Sequence, residues 1–236
     1  MPKQNRKNNE LRKIEIKTGV NDYAEGSCLI EFGNTRVLCT ATVDTHLPDW
    51  LKCEDKGWVT AEYAMLPRAT ETRVPREKNL NAGRTHEIKR LIGRSLRAVT
   101  DLQKLSGYQI IVDCDVLQAD GGTRTASITG GFVALYLACQ KLVLSGRLPR
   151  MPIKEFVAAV SCGIKDDEVF LDLDYAKDST ADTDSNFVIT QSGRIVEIQA
   201  TAEGEPFDEK TFLKLLDLAR SGVSQLIDIQ RRALGV

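Results

Sequence analysis

The chain has 236 residues, of which 42% are hydrophobic and 28% charged. This is enough to bury a sizeable core as one large domain or two fused lobes. The polar, basic start MPKQNRKNNELRK has no apolar leader region, and no later run approaches the roughly 20 apolar residues that span a bilayer, so a cytoplasmic protein without a membrane partner is expected. The six cysteines lie far apart without CxxC or Cys/His zinc spacing, which predicts free thiols used mainly as small core residues.

In chain order, Ile14 and Ile16 alternate as in a strand. Ser27 to Phe32, the turn Gly33-Asn34 and Thr35 to Val43 then read as a hairpin. A third β-like run covers Trp58 to Leu66. From Pro67 to Gly83 the sequence is polar, Arg-rich and Pro-interrupted, which predicts a mobile loop. Apolar positions at Ile88, Leu91, Ile92, Leu96 and Val99 give an amphipathic helix over Arg84 to Val99, with Arg90, Arg94 and Arg97 on its other face. Tyr108 to Leu117 is a predicted strand, and Thr125 to Leu144 is apolar on most faces, as in a helix buried inside a domain.

The segment Arg147 to Lys154, RLPRMPIK, breaks every periodic pattern and is the expected join between pseudo-halves of about 1–146 and 155–236 within one domain. Strands follow at Phe156 to Gly163 and Val169 to Leu173, with Asp166-Asp167 at the turn between them. Asn186 to Thr190 and Ile195 to Thr201 flank Gln191-Ser192-Gly193, and an amphipathic helix runs from about Asp208 to Leu234. Each half is several strands followed by a helix, the order of a duplicated α+β unit.

A net charge of −1 hides strong segregation. Nine Lys/Arg face three Asp/Glu between Arg68 and Arg97, whereas thirteen acids face three bases between Lys165 and Glu209. A polyanion surface in one half and a cation site in the other would account for this; so would two solvated faces.

The segment QADGGTRTASITGG joins a predicted strand to the buried helix. Gly121 and Gly122 permit a tight turn, and the first helical amides with the helix dipole favour an anion. Thr123, Thr125 and Ser127 add hydroxyls, and Arg124 adds a fork of donors suited to phosphate. A capped helix start with a glycine turn fits the same local pattern. Walker and dinucleotide-fold spacings are both absent. Arg84, at a helix start where a cation opposes the dipole, is a candidate second phosphate ligand or a solvated arginine, with His86 close by in sequence.

In LDLDYAKDSTADTDSN, Asp172 and Asp174 are expected on one strand face, with Asp178, Asp182 and Asp184 crowding the loop beyond. Carboxylates without His or Cys select Mg²⁺ or Mn²⁺, unless the segment is merely an acidic turn. Arg68, Arg73 and Arg76 in PRATETRVPRE suit contacts to an RNA backbone without base reading, or belong to an ordinary exposed loop.

Five stretches taken in order, GWVTAEYAMLPRAT (57–70), GRTHEIKRLIGRSLRA (83–98), CDVLQADGGTRTASITG (114–130), LDLDYAKDSTADTDSN (171–186) and TAEGEPF (201–207), closely resemble the ribonuclease PH family. The resemblance implies the duplicated α+β fold of the ribosomal protein S5 type. It also implies phosphorolytic trimming of tRNA and other RNA 3′ ends with orthophosphate as co-substrate and nucleoside diphosphates as products, the reaction being reversible. A hexameric ring built from dimers is expected.

Carried over motif by motif, Arg84, Gly122, Thr123 and Arg124 look like the phosphate-binding set. Asp178 and Asp184 look like the catalytic and metal-binding carboxylates, with Mg²⁺ or Mn²⁺ as cofactor. Arg68, Arg73 and Arg76 look like the tRNA-contacting arginines. The chain departs from the family at Lys3-Gln4-Asn5-Arg6, where Arg-x-Asp-Gly-Arg is usual, which puts N-terminal packing and a ring contact in question. It departs again at Asp49 to Asp55, where Trp50 and Cys53 replace small residues.

Overall fold

The computed structural model describes residues 6–51, 53–80, 82–166, 168–203 and 205–236. Strands β1 (Ile14–Thr18), β2 (Gly26–Phe32) and β3 (Thr35–Asp44) form an antiparallel meander. The two-residue turn between β2 and β3 has positive φ at Gly33 alone, as a type II′ hairpin requires. Strand β4 (Trp58–Met65) lies parallel to β5 (Gln109–Gln118), which pairs antiparallel with β3 to give the order β1-β2-β3-β5-β4. A parallel pair needs a crossover, supplied by helices α1 (Arg76–Leu80) and α2 (Gly83–Ala98).

Burial follows the strand period. Cys28, Ile30 and Phe32, then Val37, Cys39 and Ala41, then Val112, Cys114 and Val116 all point to one face, covered by α2 and by α3 (Thr123–Leu144). Cys28, Cys39 and Cys114 form a row of free thiols across β2, β3 and β5. Glycines on α3 bring the helix close to this row. A Cβ on Gly130 would lie 2.7 Å from Ile30 Cγ2 and 2.9 Å from Cys39 Sγ.

The second sheet has the order β7-β6-β8-β9, all antiparallel, from β6 (Val157–Lys165), β7 (Glu168–Leu171), β8 (Thr183–Thr190) and β9 (Ile195–Ala202). A four-residue helix α4 (Tyr175–Asp178) connects β7 to β8. Helix α5 (Glu209–Leu234) packs on β6, starts at the Asp208 cap (Thr211 N–H to Oδ1, 2.8 Å) and ends at Gly235 with φ of 72°. Both α3 and α5 pack against β6, and every residue from Val157 to Ile164 is buried. Buried Gln230 of α5 donates to both Thr129 O (2.9 Å) and Val157 O (3.0 Å), joining the three elements.

The predicted strands and long helices are present with ends shifted by up to three residues. Three expectations change. The segment 67–83 is not an unstructured loop, because it contains α1 and is anchored at buried Ala69, whose carbonyl accepts the Ala119 N–H at 2.8 Å. Helix α3 is long and apolar enough to cross a membrane, contrary to the sequence reading, but it is the core helix between two sheets and most of it is buried, with Leu144 exposed at its end. The basic face of α2 is partly used internally: Arg97 donates to Val59 O (2.8 Å) and stacks over Trp58 at 4.5 Å, and Arg94 pairs with Glu197 at 3.0 Å.

Alanine is the better helix former, yet Gly130→Ala should destabilise the fold by about 1–3 kcal/mol, because its methyl group has no room against β2 and β3. Denaturant midpoints with an unchanged slope would measure this.

Candidate active site

Gly121 and Gly122 lie between β5 and α3 with φ of 73° and 66°. Both conformations are costly for side chains, and there is no space for one: a Cβ on Gly121 would be 2.7 Å from Leu173 O, and one on Gly122 2.9 Å from Arg12 Nη2. No side chain caps α3, whose first internal bond runs from Ala126 N–H to Gly122 O. The preceding amides, including those of Thr123 and Arg124, are therefore available to an anion. The hydroxyls expected beside them turn inward. Thr123 Oγ1 meets Tyr63 Oη at 2.9 Å, Thr125 Oγ1 donates to Gly122 O at 2.9 Å, and Ser127 Oγ is buried with no partner among the described residues.

Thr35 and Arg12 hold this turn. Thr35 Oγ1 donates to Gly121 O (2.6 Å) and accepts from Asp120 N–H (2.8 Å), while Arg12 Nη1 donates to Asp120 O at 2.6 Å. The rest of the Arg12 guanidinium forks onto fully buried Asp172, Nη2 to Oδ1 at 2.7 Å and Nε to Oδ2 at 3.0 Å. The Arg12 N–H donates to the same carboxylate at 2.8 Å, and Arg6 adds bonds to Oδ2 (3.3 Å) and to Asp172 O (2.8 Å). Arg12 thus links the glycine turn of the first half to the acidic segment of the second.

This overturns the placement of Asp172 and Asp174 on one strand face. Strand β7 ends at Leu171, Asp172 takes φ of 55°, and Asp174 caps α4 by accepting the Lys177 N–H at 2.9 Å. Arg6 also answers part of the question raised at the N-terminus, since it packs into the Asp172 cluster; Lys3, Gln4 and Asn5 lie outside the described residues.

Helix α4 carries Asp178, and β8 carries Asp184. Partial desolvation and the charge of Asp184 push the Asp178 carboxyl above the usual range, opposed by Arg84, Arg124 and Arg12. Asp178 keeps an open edge to solvent, so its shift reflects crowding by neighbours as well as burial. Asp182 instead accepts the Asp166 N–H at 3.0 Å in the β6–β7 turn region. No group of three or more His, Cys, Asp or Glu able to hold a metal occurs among the described residues.

Arg84 stands in the first turn of α2, and its charge reaches both Asp178 and Tyr63. Burial raises the Tyr63 hydroxyl, while Thr123, Arg84 and Arg124 pull it back down. Arg124 Nη1 donates to Gln199 Oε1 at 2.6 Å and to Glu87 Oε1 at 3.4 Å. The fold therefore gathers Arg84, Gly122, Thr123, Arg124, Asp178 and Asp184 around one place. Arg68, Arg73 and Arg76 are exposed between β4 and α2, and no hydrogen bond or ion pair joins them to these groups among the described residues. The charge of Arg76 acts on Asp115 instead.

The sequence reading missed Arg12, Thr35, Tyr63, Glu87 and Gln199. Only Glu87 left a signal, because it lies three residues after Arg84 and so shares its helix face.

The 3′ exoribonuclease family matches the chain twice, its domain 1 over residues 10–140 and its domain 2 over 155–222. The chain belongs to this family. Proteins named Ribonuclease PH from Methylobacterium nodulans and Methylorubrum populi are 58% identical over 228 residues and 57% identical over 226, covering 96% and 95% of this chain and the same shares of theirs. Among solved structures, the Archaeoglobus fulgidus exosome with RNA bound to the active site superposes with a TM-score of 0.79 at 25% identity, over 94% of this chain and 90% of that one. Rice Rrp46 superposes with a TM-score of 0.76 at 20% identity, over 98% of each chain, a likeness of fold.

Asp172→Asn keeps a side chain tolerant of positive φ but removes the charge facing Arg12 and Arg6. Thermal or denaturant unfolding should show a loss of about 3–5 kcal/mol, as for other broken buried pairs.

Proposed function

We propose that this exoribonuclease of the ribonuclease PH family binds orthophosphate between Arg84, Arg124 and the uncapped amides of α3, and uses it to shorten RNA from the 3′ end. The observation that carries this reading is the convergence of those cationic and amide donors with the Asp178/Asp184 pair. It stands alongside 58% identity to a protein named Ribonuclease PH.

Orthophosphate so held has one oxygen free to attack, in line, the phosphorus joining the last two nucleotides. The new P–O bond forms as the bond to the penultimate 3′-oxygen breaks. The terminal nucleotide leaves as a nucleoside 5′-diphosphate, and the shortened RNA keeps its 3′-oxygen, which takes up a proton. In reverse, a nucleoside diphosphate extends the RNA and releases phosphate. Arg84, Arg124 and the amides offset the charge of two phosphates brought together, and their fixed positions supply orientation. The departing 3′-oxygen takes its proton from the Asp178/Asp184 pair or from solvent.

Asp178 and Asp184 are also the residues that would hold Mg²⁺ or Mn²⁺, whose chemistry there is to stabilise negative charge on the leaving oxygen. Two repelling carboxylates with no His or Cys donor suit such a hard cation, and magnesium is commonly held by one or two carboxylates plus substrate phosphates. The exposed Arg68, Arg73 and Arg76 would hold the backbone of tRNA precursors and other RNAs. The whole chain would act as one domain within a cytoplasmic homo-oligomer, a hexameric ring of three dimers.

With RNA, Mg²⁺ and phosphate, the protein should release nucleoside diphosphates. Nucleoside monophosphates formed without phosphate would instead identify a hydrolytic nuclease. Arg124→Ala should chiefly raise the KM for phosphate. Arg73→Ala should weaken RNA binding and lower the salt slope by about 1, and equal losses in both assays for both variants would contradict separate sites.

A further inference from the structure

Arg124 is held across the boundary between the two halves. Its Nη1 donates to Gln199 Oε1 of β9 at 2.6 Å and to Glu87 Oε1 of α2 at 3.4 Å, while Gln199 Nε2 donates to that same Glu87 oxygen at 2.9 Å. The orientation of the Gln199 amide is forced. A guanidinium can only donate and a carboxylate can only accept, so its oxygen faces Arg124 and its nitrogen faces Glu87. The contact is part of a two-rung ladder: Arg94, two turns beyond Glu87 on α2, pairs with Glu197, two residues before Gln199 on β9.

This triad occupies only Nη1. Nε and Nη2 of Arg124 have no hydrogen-bond partner among the described residues, which leaves two donors for the oxygens of a phosphate. It also places a fixed negative charge at an anion site. Glu87 lies one turn beyond Arg84 on the same face of α2 and in contact with Arg124, between two of the cations assigned to phosphate. A carboxylate there opposes a phosphate dianion by repulsion and by drawing on the charge of Arg124.

Resting on the phosphate site described above, we propose that Gln199 and Glu87 are positioning residues for Arg124, and that Glu87 competes internally with orthophosphate and weakens its binding. Gln199 supplies the orientation. Glu87 fixes the Gln199 amide and sets how much of the Arg124 charge the incoming phosphate meets.

The test is steady-state phosphorolysis of a fixed RNA with varied inorganic phosphate, together with calorimetric titration of phosphate into each protein. Glu87→Gln keeps an acceptor for Gln199 but removes the charge, so the KM and Kd for phosphate should fall about two- to fivefold while the KM for RNA stays unchanged. Gln199→Glu keeps an acceptor for Arg124 but adds a second anion, so both phosphate constants should rise by a similar factor. A purely structural role predicts lower kcat and lower Tm in both variants without tighter phosphate binding. An unchanged or raised phosphate KM in Glu87→Gln, in a protein whose parent still requires phosphate, would overturn the inference alone. A parent enzyme that does not require phosphate would remove the site on which it rests.

Discussion

One buried ion pair sets the geometry on which the site depends. Asp172 is fully buried and carries a full charge's worth of acceptors, and Arg12 meets it with three N–H groups, one from the backbone and two from the side chain. Desolvating such a pair is expensive, so it is a poor source of stability but a demanding source of geometry, since either charge left alone is worse than both together. The remaining nitrogen of Arg12 reaches Asp120 O in the glycine turn. The phosphate turn of the first half and the aspartate segment of the second are thereby registered to the same guanidinium. The left-handed backbone at Asp172 belongs to the same constraint.

The surrounding architecture makes that register rigid. Helix α3 is packed by both sheets, and its Gly130 approach to the cysteine row leaves little freedom to slide. Its N-terminus must therefore emerge where Thr35 and Arg12 hold the turn. In the second half, α4 begins against Gly121 and delivers Asp178 one turn later, while β8 supplies Asp184 from a strand buried in the second sheet. The carboxylates repel one another, yet the three arginines around them reduce that cost. An arrangement that raises one carboxyl and gathers cations beside it is unfavourable for folding alone, as expected where structure is retained for chemistry.

Much of this was legible before any coordinates. The hairpin at Gly33-Asn34, the buried helix after Gly122 and the amphipathic helix beginning near Asp208 are local patterns, and local physics decided them. The site residues were legible as a set only through their resemblance to a family, because Arg84, Arg124 and Asp178 are brought together by long-range packing. What could not be read was pairing across the two halves. Nothing in the sequence near Asp172 distinguishes a buried partner of Arg12 from a metal ligand two residues before Asp174, and period-two alternation suggested a strand running to Leu173, whereas β7 ends at Leu171. Gln199 was invisible for the same reason, since its partners lie 75 and 112 residues away. The inward turn of Thr125 and Ser127 was equally hidden, because a helix N-terminus rich in hydroxyls looks the same whether they face an anion or the core.

The central claim is that phosphate binds where the first half presents amides and arginines to the second half's aspartates. Diffraction from crystals soaked in phosphate tests it most directly. The account predicts a tetrahedral anion within hydrogen-bond distance of the Arg84 and Arg124 guanidiniums and the Thr123 and Arg124 amides, on the side facing Asp178. An anion bound elsewhere, with those amides left to water at saturating phosphate, would contradict it.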